Sequence, residues 1–378
     1  MRVPFIDLAV SSRGIQEEIR KAVNRVLDSQ RFILDGSVAA LEEKIARDVG
    51  AKYAVGTASG SDALYLSLLA LGVGAGDEVI TTPFTFFATA GAVSRTGARP
   101  VFVDIDPHTF NLNPSLVEER INRKTKAIVP VHLFGLLCEM DSILRIARRH
   151  SLLIVEDAAQ AYGAGYRGKK AGSWGDAGCF SFYPTKNLGG AGDGGMVVTS
   201  SAGLARKLKL LRDHGSARKY HHEEIGVNSR LDELQAAVLL VKLKYLKEWN
   251  EKRRFCASVY GEGLKDSPLQ IPKSPAGNRH VYHLYSILSK KRDALARFLA
   301  GEGIGTGIYY PLPLHLQPCY RSLGGKKGDF PVAERTTSQI LSLPMYPGLA
   351  ERDVRFVMSK VHEFCDGRAD GHRFSAGV

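Results

Sequence analysis

Ser181-Phe182-Tyr183-Pro184-Thr185-Lys186-Asn187-Leu188-Gly189-Gly190-Ala191-Gly192-Asp193-Gly194-Gly195 sets one lysine between a strand-like run and a string of glycines. A lysine just past a strand is ordinarily a solvated loop residue, and glycines beside it ordinarily supply turn geometry. Here the neighbours argue otherwise. Pro184 donates no hydrogen bond to a ladder, so the strand ends at Tyr183-Pro184, and the glycines leave few side chains beside Lys186. Such a lysine fits a pocket walled by backbone.

Outward from this stretch, short β-branched runs alternate with helical patterns over the first two-thirds of the chain. This is the mark of β-α units around a mainly parallel sheet. Strands are expected at Ala54–Thr57, Glu78–Thr81, Pro100–Val103, Ala127–Pro130, Leu152–Val155 and Gly195–Val198, and helices at Asp62–Leu71 and Asp141–His150. A long helical pattern follows from about Leu231 to about Leu264. Beyond it, Val281–Ile287 reads as a strand and Arg292–Leu299 as a helix. The expected architecture is a large α/β domain over 1–240 and a smaller α+β domain over 241–378, with a frayed tail after about residue 366.

With 378 residues the chain can bury a large core. No apolar run approaches the roughly eighteen residues of a membrane span. The start, Met1-Arg2-Val3-Pro4-Phe5-Ile6-Asp7, lacks a basic leader followed by an apolar core, so the cytoplasm is the expected compartment and no membrane partner is foreseen. Five cysteines occur without a Cys-x-x-Cys spacing, which argues against a zinc cage or a disulfide framework. The formal charge of +12 is spread over many helices without a nucleic-acid reading motif. It suits solubility and the attraction of small phosphorylated ligands.

Gly72-Val73-Gly74-Ala75-Gly76 and Gly190-Ala191-Gly192 superficially match a dinucleotide fingerprint, but both precede strands. The fingerprint needs a strand, then glycines, then a helix. Glu156-Asp157-Ala158-Ala159-Gln160 is more informative. It follows the apolar run Leu152–Val155, at the carboxyl end of the sheet where open α/β folds hold their ligands. An acid there is also a common turn cap. Yet an acid at one strand end, about thirty residues before a lysine at the next, is the layout of pyridoxal phosphate (PLP) chemistry. There a lysine binds the cofactor aldehyde and an acid keeps the pyridine nitrogen protonated. Thr57-Ala58-Ser59-Gly60-Ser61-Asp62 opens a helix after a strand, with Ser59 or Ser61 as candidate cap; its free amides suit a phosphate or are simply capped.

With these motifs assembled, the chain resembles the DegT/DnrJ/StrS sugar aminotransferases, PLP enzymes of fold type I that aminate keto groups on nucleotide-linked sugars. The resemblance runs from Phe5-Ile6-Asp7-Leu8 to Leu343-Pro344-Met345. It implies that Lys186 is the Schiff-base lysine, Asp157 the partner of the pyridine nitrogen and Gln160 a neighbour of the cofactor's phenolic oxygen. It assigns Phe86 to the ring face, although periodicity alone places Phe86 in the core. Gly60, Ser61 and Ser181 are implied as the phosphate cradle. The glycines of 189–195 then serve to let backbone pass close to the cofactor without crowding the lysine.

The stretch Gly226-Val227-Asn228-Ser229-Arg230 resembles the family segment that enters the neighbouring subunit's site. This implies a homodimer, with Asn228 on the other chain's cofactor phosphate and Arg230 near substrate; read alone, Asn228 is a helix cap. The run Tyr309-Tyr310-Pro311-Leu312-Pro313-Leu314-His315 resembles members acting on 3-keto sugars, with Tyr309 and His315 as substrate contacts. L-glutamate is the implied amino donor and carbon 3, rather than carbon 4, the implied acceptor. Two departures stand out: Ser59-Gly60-Ser61 replaces the commoner Asn-Gly-Thr, and Leu136 replaces a glutamine, which leaves substrate contacts near that loop open. Members that dehydrate sugars carry histidine at the lysine position, so Lys186 favours transfer. A non-catalytic sensor of cofactor or sugar nucleotide is the alternative of another class.

Overall fold

The computed structural model describes residues 2–367; residues 368–378, where most of the expected tail falls, lie outside the described residues. Seven strands build the central sheet: β1 (Tyr53–Thr57), β2 (Glu78–Thr81), β3 (Arg99–Phe102), β4 (Thr125–Ile128), β5 (Leu153–Asp157), β6 (Ala177–Ser181) and β7 (Gly195–Thr199). Their spatial order is β1-β7-β6-β5-β4-β2-β3, with β7 alone antiparallel to its neighbours. The helices of eight or more residues are α1 (Gln16–Ser29), α2 (Gly36–Val49), α3 (Gly60–Ala70), α4 (Ala88–Arg95), α5 (Met140–Arg149), α6 (Ala202–Leu211), α7 (Glu233–Leu243), α8 (Leu246–Leu264), α9 (Arg292–Gly301), α10 (Pro331–Gln339) and α11 (Glu351–Cys365).

The sheet is covered on both faces, which is why its strands read as nearly continuous apolar runs. Side chains alternate across it. Ile80, Ile128, Ile154 and Phe180 meet Leu41 and Ile45 of α2 and Ile143 of α5 on one face. Val55, Val79, Val155, Cys179 and Val197 meet Leu64 and Leu68 of α3, Val93 of α4 and Leu208 of α6 on the other.

Beyond α8, strands β8 (Tyr285–Leu288) and β9 (Ile340–Leu343) pair antiparallel. They share a core with Tyr260 of α8, Leu295 and Leu299 of α9 and Val354 and Val357 of α11. Val3 joins that core and its amide bonds Gly303 O at 2.9 Å, so the first residues pack with the last third of the chain.

Two expectations need correction. The helical pattern from Leu231 to Leu264 is two helices, broken at Lys244-Tyr245 without a glycine or proline to account for it. The strand expected over Val281–Ile287 begins only at Tyr285, because the amides of Val281 and His283 bond Gly135 O and Phe134 O instead of a ladder partner. That detour brings His283 to the ligand edge of the sheet.

Candidate active site

The ends of β1, β5 and β6 and the start of β7 meet at one edge. A cavity of about 720 Å³ opens there, closed on its other side by His283, Leu284 and Ile308–Tyr310. Another hollow, of about 480 Å³, lies between α1, α2 and α7. It holds neither the lysine nor Asp157, so the chemistry belongs to the first.

Strand alternation separates the two acids that end β5. Asp157 has the parity of Val155 and turns toward α4, where Thr89 Oγ1 donates to Oδ2 at 2.7 Å and Ala159 N to Oδ1 at 3.2 Å. Since Thr89 gives its proton to the carboxylate, Thr85 is the donor in the 3.1 Å contact between the two threonines. Burial raises the Asp157 pKa; the bonds from Thr89 and Ala159, and the nearby charge of Lys186, act against it. Glu156 has the opposite parity. Fully buried, it accepts from the amides of Gly172, Trp174 and Gly175 at 2.7–2.8 Å and meets His132 Nε2 at 2.9 Å. It ties a loop to the sheet and does not line the cavity.

Lys186 lines the cavity, and its amide bonds Tyr183 O at 2.8 Å, closing the turn after β6. The residue keeps some open surface, yet its surroundings lower the amine pKa to about 8, burial being the cause and the charge of Asp157 acting in the opposite direction. The glycines that follow are confined by their own neighbours, while Gly194 lines the cavity with Lys186. A Cβ on Gly189 would lie 2.3 Å from Pro184 O, one on Gly190 2.8 Å from Gln235 Oε1, and one on Gly195 2.3 Å from Ser59 O. They are small because backbone and helix α7 press on them.

Gly60 is required for a related reason. Its Cβ would stand 2.6 Å from Ser181 Cβ, so the first turn of α3 packs directly on the end of β6. Ser59 takes the cap, its Oγ accepting from Asp62 N at 3.1 Å. Gly60, Ser61 and Ser181 therefore form one hydroxyl-rich and amide-rich corner of the cavity at a helix N-terminus, a setting that favours an anion. Phe86 is not core: it is 57 % exposed, faces the cavity and lies 6.1 Å from the ring of Tyr310. Gln160 is held at both ends, accepting from Phe134 N at 2.7 Å and donating to Tyr310 Oη at 3.0 Å.

The model of the DegT/DnrJ/EryC1/StrS aminotransferase family matches residues 13–362. The chain belongs to that family. It is 50 % identical over 367 residues to a "Pleiotropic regulatory protein" of Geobacillus stearothermophilus, covering 96 % of this chain and 99 % of that one. It is 45 % identical over 365 residues to a UDP-N-acetyl-3-dehydro-alpha-D-glucosamine 3-aminotransferase of Acidithiobacillus ferrooxidans, covering 97 % and 98 %. A crystal structure of S. venezuelae DesV with a ketimine intermediate superposes with a TM-score of 0.95 at 44 % identity, covering 97 % and 99 %. The fold is thus that of the DegT-type aminotransferases.

The family depends on PLP, and the aminotransferase cavity fits that group. It joins an amine of lowered basicity, a buried carboxylate, an exposed ring and a small-residue anion corner that any side chain larger than glycine at residue 60 would fill. Three of the named residues lie outside it, two of which, Asn228 and Arg230, are expected in the neighbouring subunit's cavity rather than in this one. Asn228 is exposed on a loop, and Arg230 bonds Asp213 Oδ1 at 2.9 Å; neither lines the cavity of its own chain. His315 is 3 % exposed and faces Glu334 Oε1 at 3.1 Å, because the 3-10 turn at Leu314–Leu316 folds it against Phe330. Leu136, too, is buried away from the cavity. Tyr309 does line it. Thr85, Thr89, His283 and Tyr310 escape the sequence reading. Thr85 and Thr89 flank Phe86 and Tyr310 follows Tyr309, so three of the four stood near a residue already singled out.

Proposed function

We propose that this protein is a PLP-dependent aminotransferase moving an amino group from L-glutamate to the carbon-3 keto group of a nucleotide-linked sugar, acting as a homodimer. One observation carries the reading: Lys186, with its lowered pKa, and the buried carboxylate of Asp157 line one cavity beside the anion corner of Gly60, Ser61 and Ser181. Carbon 3 is favoured over carbon 4 by the name of the 45 % identical relative.

When bound, PLP supplies an aldehyde for the amine and a ring that spreads the electron pair left by the departing proton. The chain supplies the rest. Gly60 amide, Ser61 and Ser181 would hold the phosphate, Phe86 would cover a ring face and Gln160 would stand by the phenolic oxygen. Asp157, whose carboxylate Thr89 and Ala159 favour against the upward pull of burial, would accept the N–H of the pyridine ring. Lys186 Nζ, uncharged in a useful fraction near neutral pH, takes the proton from the alpha carbon of glutamate and later delivers one to the sugar carbon that receives nitrogen. Glutamate leaves as 2-oxoglutarate and the ketosugar as an aminosugar. Tyr309 lies on the substrate side. A second copy contributes Asn228 to the phosphate and Arg230 to the substrate.

The purified protein is expected to be yellow with PLP, to bleach with L-glutamate and to recover colour with a UDP-linked 3-keto sugar. Recovery with 4-keto sugars alone would move the reaction to carbon 4. The regulatory name of the 50 % identical relative motivates a second reading, a sensor that binds cofactor without turnover. A yellow protein inert to every amino donor would establish it.

A further inference from the structure

Lys186 shares its cavity with a histidine that the reaction above leaves unused. His283 is buried, lines the wall and places Nδ1 3.2 Å from Asn187 Oδ1. Two backbone carbonyls decide how the side chains around it are oriented. Tyr162 O can only accept, so Asn250 presents Nδ2 to it at 3.2 Å and turns Oδ1 toward Asn187. Asn187 Nδ2 then donates to that Oδ1 at 2.7 Å and to Val281 O at 3.1 Å. Asn187 Oδ1 is left as an acceptor, so the imidazole proton sits on Nδ1 and the lone pair on Nε2. Among the described residues nothing bonds Nε2, and the atom is not sealed inside protein.

We propose that His283 binds substrate, its Nε2 accepting a hydrogen bond from a hydroxyl of the sugar beside Lys186. The proposal rests on the functional reading above. Burial and the charges of Lys186 and Arg253 hold the imidazole pKa well below its ordinary value, so it remains an uncharged acceptor. The charge of Arg253 disfavours an ammonium at this point, which makes a neutral hydroxyl the matched donor. His283 and Tyr309 lie on the same wall, contributed by the chain beyond residue 280, while the anion corner comes from the strand ends.

The test uses PLP-loaded protein and its His283→Phe and His283→Gln variants. Each is titrated with L-glutamate and, separately, with a UDP-linked 3-amino sugar, and bleaching is followed. His283→Phe is expected to lose on the order of 10- to 100-fold in kcat/KM toward the sugar and about twofold or less toward glutamate, with glutamine, which retains an acceptor, recovering much of the loss. Loss confined to glutamate would make the donor's ammonium the bonded group and overturn the assignment to sugar. Equal rates for all three proteins would remove His283 from binding altogether. Nitrogen NMR of the cofactor-free protein reads the tautomer without turnover, and a protonated Nε2 would overturn the proposal. An unsubstituted protein that bleaches with neither ligand sinks the functional reading instead, and the NMR arm still judges the tautomer.

Discussion

At Lys186 the amine loses its proton as pH rises through about 8, more than two units below the usual lysine value of 10.5. Capture of free PLP should accelerate about tenfold per pH unit below 8 and level off above it, since only the uncharged amine attacks. A flat profile from about pH 6 to about pH 9, followed by visible absorbance, would contradict the lowered basicity of this amine. Asp157 depends on Thr89 in the opposite sense, because the hydroxyl stabilises the ionised carboxylate against burial. Thr89→Val should raise the Asp157 pKa further and weaken PLP binding about 10-fold in equilibrium dialysis, with Thr89→Ser near the unsubstituted protein. These two acid–base properties could not be read from composition or spacing. The lysine and the acid could be placed at strand ends, but their pKa shifts come from walls that other segments supply.

The elements that position the site are held by a few buried polar ties. Glu42 of α2 accepts from Gly56 N of β1 at 2.8 Å and from Arg212, just past α6, at 2.5 Å; the same guanidinium donates to Gly56 O at 2.8 Å. Both side chains are buried, so Glu42→Ala leaves an uncompensated charge beside the strand that leads into Ser59–Ser61. A loss of about 3–5 kcal/mol in denaturant unfolding is expected, with Arg212→Met in the same chain restoring part of it. An unfolding midpoint unchanged by Glu42→Ala would show that the pair carries no such tension. Six of the seven sheet strands were legible as apolar runs, and β6 as the strand-like run before Pro184, because a sheet covered on both faces imposes that composition on its strands. The shortened strand at Tyr285 was not, since the amides of Val281 and His283 answer to a loop near residue 134 that is distant in sequence.

For the whole molecule, the loop that carries Asn228 leaves Tyr220 81 % and Ile225 96 % exposed. Large apolar side chains this open fit a face that a second copy covers. On that reading, Lys186→Ala and Asn228→Ala homodimers should each be impaired. Unfolding and refolding them together should restore activity to about a quarter of the unsubstituted protein, because half of the dimers are then mixed and one of their two sites is intact. Restoration to less than a few per cent would count against shared sites.

Residue types and their order along the chain were enough for the α/β class, the lysine and acid at successive strand ends and the family, because buried strands and ligand-holding turns each constrain their own local sequence. Which acid turns to the cavity, why residues 189, 190 and 195 are glycines and where His315 lies were settled by contacts between segments far apart in sequence. Asp157 and Glu156 are adjacent and chemically alike; the pleat of β5 and what packs on each face of the sheet give one to the cavity and the other to a structural loop.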